Sequence, residues 1–402
     1  MYWALAFIGT FLVYGILSPY ISILIRGYGY SHSTLGFLLA VCEAAAIASP
    51  FVTGFFADRF KCYKPVLLIS LFASLCCGII LHLSNNLLLC AIVLPVLSFG
   101  YRAVQPLMDA ISTIKLGKEG NYGKYRALGS LVFFLLVIYL QFTPVFVPNT
   151  SSNIAFWVMV CSFSSLVLIT IIPKSCFTND GKTQPAGDPP RKAGTALRGK
   201  SAVQRHGAVR KLWSPLFIIG FLIIFLNRLS MSPINGFLSL YVVEYLKWDA
   251  VGLMWALSSG SEIAFIFLSK RLILRFKALP LMAFATFAVL VRYAIMLVFT
   301  SGGGVVVSQL THSVCYGVFH PAAVSFIAGC VPPERRALGM SLYLSLGTGV
   351  PTLIGSISGG FIVEYLGYRA MFLFFALFAV LGLLLYFITR KHITRFSAEY
   401  AG

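Results

Sequence analysis

The chain has 402 residues, of which 58% are hydrophobic, 15% aromatic and only 11% charged, with a formal net charge of +19. An ordinary soluble domain carries roughly 25% charged residues, so a mean hydropathy of +0.87 over the whole length excludes a soluble globular protein. In lipid only helices and closed barrels satisfy their backbone polar groups. The apolar runs here last about 20 residues, enough to cross the hydrocarbon as helix, and lack the alternation of barrel strands.

In chain order the sequence predicts twelve spans, at 3–25, 34–57, 65–83, 87–110, 125–143, 153–173, 213–243, 250–269, 279–300, 304–330, 336–362 and 369–389. The first begins at Tyr2 without a basic n-region and is too long for a signal-peptide core, so it is expected to stay as a helix. An even number of spans puts both termini on one side. Of the 31 Lys and Arg residues, 25 fall in the loops and tail of that side, while Arg26, Lys247 and Arg369 fall opposite. By the positive-inside rule both termini face the cytoplasm and the protein belongs in the cell (inner or plasma) membrane. The basic excess is a topology signal and calls for no nucleic-acid partner.

Residues 174–212 break the pattern, with Pro, Gly, Lys, Arg, Thr and Gln replacing the apolar runs. The expected organisation is a bundle over 1–173, a cytoplasmic basic linker over 174–212, and a second bundle with a short tail over 213–402. Arg126-Ala127-Leu128-Gly129 opens the fifth span and Arg336-Ala337-Leu338-Gly339 opens the eleventh, six spans later. Two related six-helix halves place a substrate site at their interface near the midplane. Within the linker, Gly194 to Ser201 fits the G-x-x-x-x-G-K-[ST] phosphate-loop pattern. No strand precedes it to aim backbone N–H groups at a phosphate, so it reads as a basic linker near anionic headgroups. The nine cysteines have neither metal nor disulfide spacing and read as small packing residues.

An ionisable side chain inside a span costs roughly 2.5 to 3.5 kcal/mol on insertion scales, which makes each one a functional candidate. Glu43, Arg102, Asp109, Arg228, Glu262 and Arg292 meet that test, three of each sign, and equal numbers suggest pairing. Glu262 and Arg292 lie mid-span in the eighth and ninth helices. A buried carboxylate near an arginine can change protonation as the protein changes shape, which proton coupling requires. His312, Tyr316 and His320 recur at i, i+4 and i+8 on the tenth span and suit a polar cavity wall. Between the second and third spans, Gly54, Asp58 and Arg59 with the basic residues after them suit a charged latch on the cytoplasmic face, or a loop that only sets topology.

That loop resembles the G-x-x-x-D-R-x-G-R-[RK] signature of the major facilitator superfamily, matched at Gly54, Asp58 and Arg59 and departing after Phe60 and Lys61. Within the superfamily the chain is similar to the phenylpropionate permease-like branch, and more distantly to lactose permease and the nucleoside proton symporters. The stretches that carry this are Gly15 to Pro19, Gln105 to Ala110, Tyr122 to Ser130, Glu262, and Gln309 to Ala323. The resemblance implies a helical membrane protein of two pseudo-symmetric six-helix bundles. It also implies that Asp109 and Arg126 hold substrate, and that Glu262, Arg292 and His312 serve binding and proton coupling. Cys315 stands where a second acid of the tenth span would fall, and Asn227 and Ser230 replace acids of the seventh.

The reading is therefore an all-α, twelve-helix secondary active transporter. It is expected to be a proton-coupled symporter of a small organic solute, an aromatic carboxylate, sugar or nucleoside, working by alternating access. The alternative is a membrane sensor or scaffold that keeps the fold without transporting. The expected substrate groups are Asp109, Arg126, His312, Tyr316, His320 and Asn235; the proton-coupling groups are Glu262, Arg292 and His312; Gly54, Asp58 and Arg59 form the cytoplasmic gate. No nucleophile, metal or redox constellation appears, so the sequence predicts neither an enzyme nor a bound cofactor. Its expected partners are the solute, protons and the lipid bilayer, with the protein a monomer.

Overall fold

A computed structural model describes residues 2–84, 86–116, 122–142, 151–177, 214–331 and 335–399, and these are helical throughout apart from short turns. The phosphate-loop-like stretch at 194–201 and nearly all of the linker lie outside the described residues. The first half comprises α1 (Tyr2–Gly27), α2 (His32–Phe60), α3 (Tyr63–Leu83), α4 (Leu87–Leu116), α5 (Tyr122–Phe142) and α6 (Ser151–Ile171). The second half begins with α7 (Pro215–Leu240), α8 (Val251–Phe276) and α9 (Ala278–Val298). Next, α10 runs from Gly302–Leu310 through a π turn, Ser313–Val318, into Phe319–Cys330. A second π turn, Ser345–Gly349, separates Arg336–Leu344 from the long segment Val350–Glu399. Gly367, at φ 80°, divides that segment, so residues 336–366 form α11 and 368–399 form α12. A third π turn, Tyr241–Tyr245, ends α7.

The protein is an all-α membrane protein. Phe72, Leu88, Ile92, Leu135, Phe163, Phe284, Leu377 and Leu381 point outward although large and apolar, as lipid-facing positions must. Buried faces use small residues whose hydroxyls bond backbone carbonyls of neighbouring helices, the polar glue expected in lipid. Ser49 Oγ donates to Phe99 O at 2.6 Å, Ser165 Oγ to Gly9 O at 2.7 Å and Ser151 Oγ to Leu24 O at 2.8 Å. Composition places the linker from residue 174; its first residues, Lys174–Cys176, form a 3-10 turn, and Phe177 is buried beside Trp3, so these four pack with the first half.

Within residues 2–177, α1 packs on α5 and α6, α3 on α4 and α6, and α2 on α4; within 214–399, α7 and α9 pack on residues 350–399 and α8 on α10. The two halves meet where α2 packs on α11 and α5 on α8, with α1 also touching α7. Advancing six helices turns the α2–α11 pair into the α8–α5 pair, so the contact pattern repeats the internal relation seen in sequence. At the α2–α11 crossing the backbones almost touch. A Cβ on Gly36 would lie 2.4 Å from Ser356 O and 2.9 Å from Gly360 Cα, so only glycine fits.

Candidate functional site

A cavity of about 770 Å³ lies between the halves, lined from both of them. From the first half it takes aromatic and charged side chains, among them Tyr14, Glu43, Tyr101, Arg102, Arg126 and Phe133; from the second it takes Arg228, Asn235, Trp255, Glu262, His312 and Tyr316. These positions are the inward faces of α1, α2, α4 and α5 and their counterparts α7, α8 and α10.

Charge in this low-dielectric space is organised by partner. Arg102 stands 3.7 Å from Glu43, with its guanidinium 5.8 Å from the Tyr14 ring and 5.3 Å from the Tyr101 ring. Arg126 stands 3.6 Å from Asp109 and 4.7 Å from the Phe11 ring, and Tyr122 donates its O–H to Asp109 Oδ1 at 3.1 Å. Asp109 is thus behind Arg126, one layer out from the lining. The sequence reading groups Glu262 with Arg292 and His312, and the structure sets the histidine between the other two. Arg292, 1% exposed, donates from Nη1 to His312 Nδ1 at 3.0 Å, and His312 Nε2 faces Glu262 Oε2 at 3.9 Å. A guanidinium only donates, so Nδ1 accepts and the ring proton sits on Nε2, directed at the carboxylate. Arg292 also donates to Gln309 Oε1, whose Nε2 in turn donates to Met254 O at 2.9 Å.

The tenth-span column forms as its spacing predicts. His312, Tyr316 and His320 stack with centroids 5.5 and 5.6 Å apart and rings within 8° and 6° of parallel. His320 itself lies behind the wall, its Nδ1 2.7 Å from Tyr343 Oη, and Arg228 Nη2 donates to the same hydroxyl at 2.9 Å. Tyr343 therefore accepts from Arg228 and donates to His320. Of the sequence candidates, Arg126, Asn235, Glu262, His312 and Tyr316 line the cavity, while Asp109, Arg292 and His320 support it from behind.

Gly54, Asp58 and Arg59 stand apart from this group at the far end of α2. Asp58 accepts from the Tyr63 O–H of its own hairpin, and a Cβ on Gly54 would meet nothing within 4 Å. Nearby, Lys64 Nζ donates to Thr170 O at 2.9 Å, also within the first half. The engaged latch is at the opposite face, where sequence reasoning placed none. There Arg26 Nε lies 2.7 Å from Glu244 Oε1, and His32 Nε2 lies 2.7 Å from Glu244 Oε2. Tyr368 donates to Glu244 at 2.7 Å, and the backbone N–H of His32 donates to Glu364 at 2.6 Å. Gln141 joins α5 to Asp249 O at 2.7 Å, and Ser239 joins α7 to Pro19 O at 2.7 Å. These contacts tie the halves together where α1 ends, so the cavity is closed on that side.

Comparison with known proteins agrees with this architecture. Residues 2–387 match the MFS_1 like family. Maltose permease of Geobacillus stearothermophilus is 23% identical over 386 residues, covering 95% of this chain and 92% of the relative. The probable 3-phenylpropionic acid transporter of Escherichia coli is 24% identical over 368 residues, covering 91% of each chain. Among solved structures, the nucleoside transporter NupG superposes with a TM-score of 0.77 at 17% identity, over 97% of this chain and 98% of that one, a likeness of fold. With the family matched over almost its entire length, the chain belongs to the MFS_1 like family of the major facilitator superfamily and is a multi-pass membrane transport protein.

Proposed function

We propose that the protein is a proton-coupled symporter of a small organic solute, working by alternating access of residues 1–173 against 213–402 around the central cavity, with 174–212 as their cytoplasmic tether. The observation that carries this reading is the Arg292–His312–Glu262 relay, which presents one carboxylate to a cavity shared by both halves. Burial makes a charged carboxylate costly and a protonated one acceptable, so Glu262 is suited to take a proton from one side and release it to the other. The histidine holds its N–H toward that carboxylate, and Arg228 and Arg126 on the cavity wall act on it without a direct ion pair. Arg126, with Asp109 behind it, offers the solute a planar fork of donors.

The named relatives handle a sugar and an aromatic acid, and the proposed solute belongs to the range of aromatic carboxylates, sugars and nucleosides. With the basic loops on the cytoplasmic side, the latched face is external and the structure is inward-facing. Uptake into proteoliposomes under an imposed pH gradient tests the reading. Wild type is expected to accumulate solute uphill, whereas Glu262→Gln should lose accumulation and keep exchange of solute across the bilayer. Undiminished uphill accumulation in Glu262→Gln would remove the coupling role from this carboxylate.

A further inference from the structure

The charges around the cavity do not balance. Three acids, Glu43, Asp109 and Glu262, are met by four arginines, Arg102, Arg126, Arg228 and Arg292. Counting Arg126 with the fifth helix breaks the equality that the spans suggest in sequence. Arg102 has Glu43 and Arg126 has Asp109, while Arg228 and Arg292 are left with the single carboxylate of Glu262, which acts on Arg228 across the cavity and faces Arg292 through His312. Neither of these two has a carboxylate within 4 Å among the described residues, so one positive charge is in surplus; Arg228, 5% exposed, is the one of the two that lines the cavity. Its Nη2 donates to Tyr343, its Nε has no acceptor, and its guanidinium lies 4.8 Å from the Tyr316 ring and 4.9 Å from the Phe319 ring.

We infer that Arg228 is an anion subsite and that the solute is a singly charged carboxylate with an aromatic or apolar body; this rests on the transport reading above. Once Glu262 takes a proton, the dehydrated Arg228 guanidinium loses the one carboxylate that acts on it, and a neutral sugar or nucleoside that displaced the cavity water would leave it without counter-charge. A carboxylate supplies the missing charge and two acceptors in the plane of the guanidinium. Tyr316 and Phe319 meet the guanidinium by ring contact and Tyr343 takes one Nη2 hydrogen, so the remaining N–H groups are left for such an approach. The rest of the wall suits the body of the solute: Phe11, Tyr14, Tyr101, Phe133 and Trp255 present ring surface to the same space. Tyr343, hydrogen-bonded on its other side to His320, fixes the guanidinium before the solute arrives. Carriage of one anion with one proton on Glu262 leaves the charge of the cavity wall the same loaded as empty, so the net movement is electroneutral.

Binding to the purified protein in lipid nanodiscs, by calorimetry and thermal shift, separates the possibilities. The probes are benzoate, phenylacetate and 3-phenylpropionate, their primary amides, maltose and uridine. At least one carboxylate is expected to bind while its amide does not. Arg228→Gln should weaken that binding roughly 10- to 100-fold, the loss typical of a charged hydrogen-bond pair, and Arg228→Lys should fall between the two. If Arg228→Gln fails to fold, the acid-against-amide comparison in wild type and the Arg228→Lys affinity still decide. Equal binding of acid and amide, or unchanged carboxylate affinity in Arg228→Gln, would overturn the subsite. Proton-driven accumulation of maltose or uridine by wild type would overturn it too, while leaving symport intact. Carboxylate binding lost in Arg228→Gln, without proton-driven accumulation by wild type, would keep the subsite and refute symport.

Discussion

Asp109 contacts Arg126 at 3.6 Å without entering the cavity lining, so it touches the solute through that arginine while its charge stands one layer behind. Asp109→Asn removes a negative charge from the vicinity of a bound anion. Carboxylate affinity in that variant should hold or rise in a direct binding titration, whereas a polyol needing a strong acceptor would bind more weakly. Arg126→Lys keeps the charge but loses the planar fork and the contact with Phe11; most solute affinity should go with it. Gln309 offers a control of another kind. It accepts from Arg292 deep in the wall and does not line the cavity. Gln309→Leu should lower thermal stability by about 1 to 3 kcal/mol, the cost of stranding a buried donor. A variant of wild-type stability would show that Arg292 finds another acceptor.

At the scale of elements, the face closed in this structure is held by the ends of α1, α2, α7 and α11 converging on Glu244 and Glu364. Both ring nitrogens of His32 face carboxylates, Nε2 at 2.7 Å from Glu244 and Nδ1 at 3.5 Å from Glu364. Glu244→Gln weakens three partners at once, Arg26, His32 and Tyr368, and should shift the population toward the outward-open form. A cysteine at Asn235, reached from outside by a membrane-impermeant reagent, should label faster in that background, and unchanged labelling would show that the helix contacts alone hold the face shut. The π turn in α10 has a different role. In an α-helix four residues advance slightly more than one turn, so a column at i, i+4 and i+8 drifts around the axis. The wider turn at Ser313–Val318 runs more residues per turn and offsets part of that drift, which keeps His312, Tyr316 and His320 in one stack. Deleting Val314 would restore α-helical winding with the helix beyond the turn left near its place, and would set Tyr316 three residues after His312, off the axis of the stack. Loss of solute binding with little loss of helix content is the expected result.

For the molecule as a whole, the positive-inside topology predicts opposite accessibility of the two faces. In a background without native cysteines, a cysteine at the exposed Ser152 should react with an impermeant reagent outside, and one at Arg275 should not; Ser151 next to it is buried and would mislead. The spans were legible because lipid imposes a length and a composition, and the break at Gly367 shows as the polar stretch Glu364 to Arg369 between two apolar runs. Glu262, His312 and Tyr316 were legible for the same reason, since polar groups stand out against apolar neighbours. What stayed hidden was contact between distant helices. Tyr343 lies 115 residues from Arg228 and looks like any tyrosine in a span until packing brings them together. Arg26, His32, Glu244 and Glu364 occur at span ends, where charged residues are ordinary, so nothing local marks them as a latch. The π turns also left no trace, because an extra residue in a helix changes winding and not composition.

The surplus positive charge around the cavity predicts a voltage preference for the resting protein. An empty cavity with Glu262 ionised carries one net positive charge and takes the potential of whichever compartment it opens to. Across a membrane negative inside, that charge is lower in energy when the cavity faces the cytoplasm, by up to about 2.3 kcal/mol at 100 mV. At 1.36 kcal/mol per decade this is a population ratio of roughly 50. In the proposed electroneutral symport the potential does no net work on the cycle but still biases where the idle carrier waits, and depolarising a cell should shift its cavities toward the external solute.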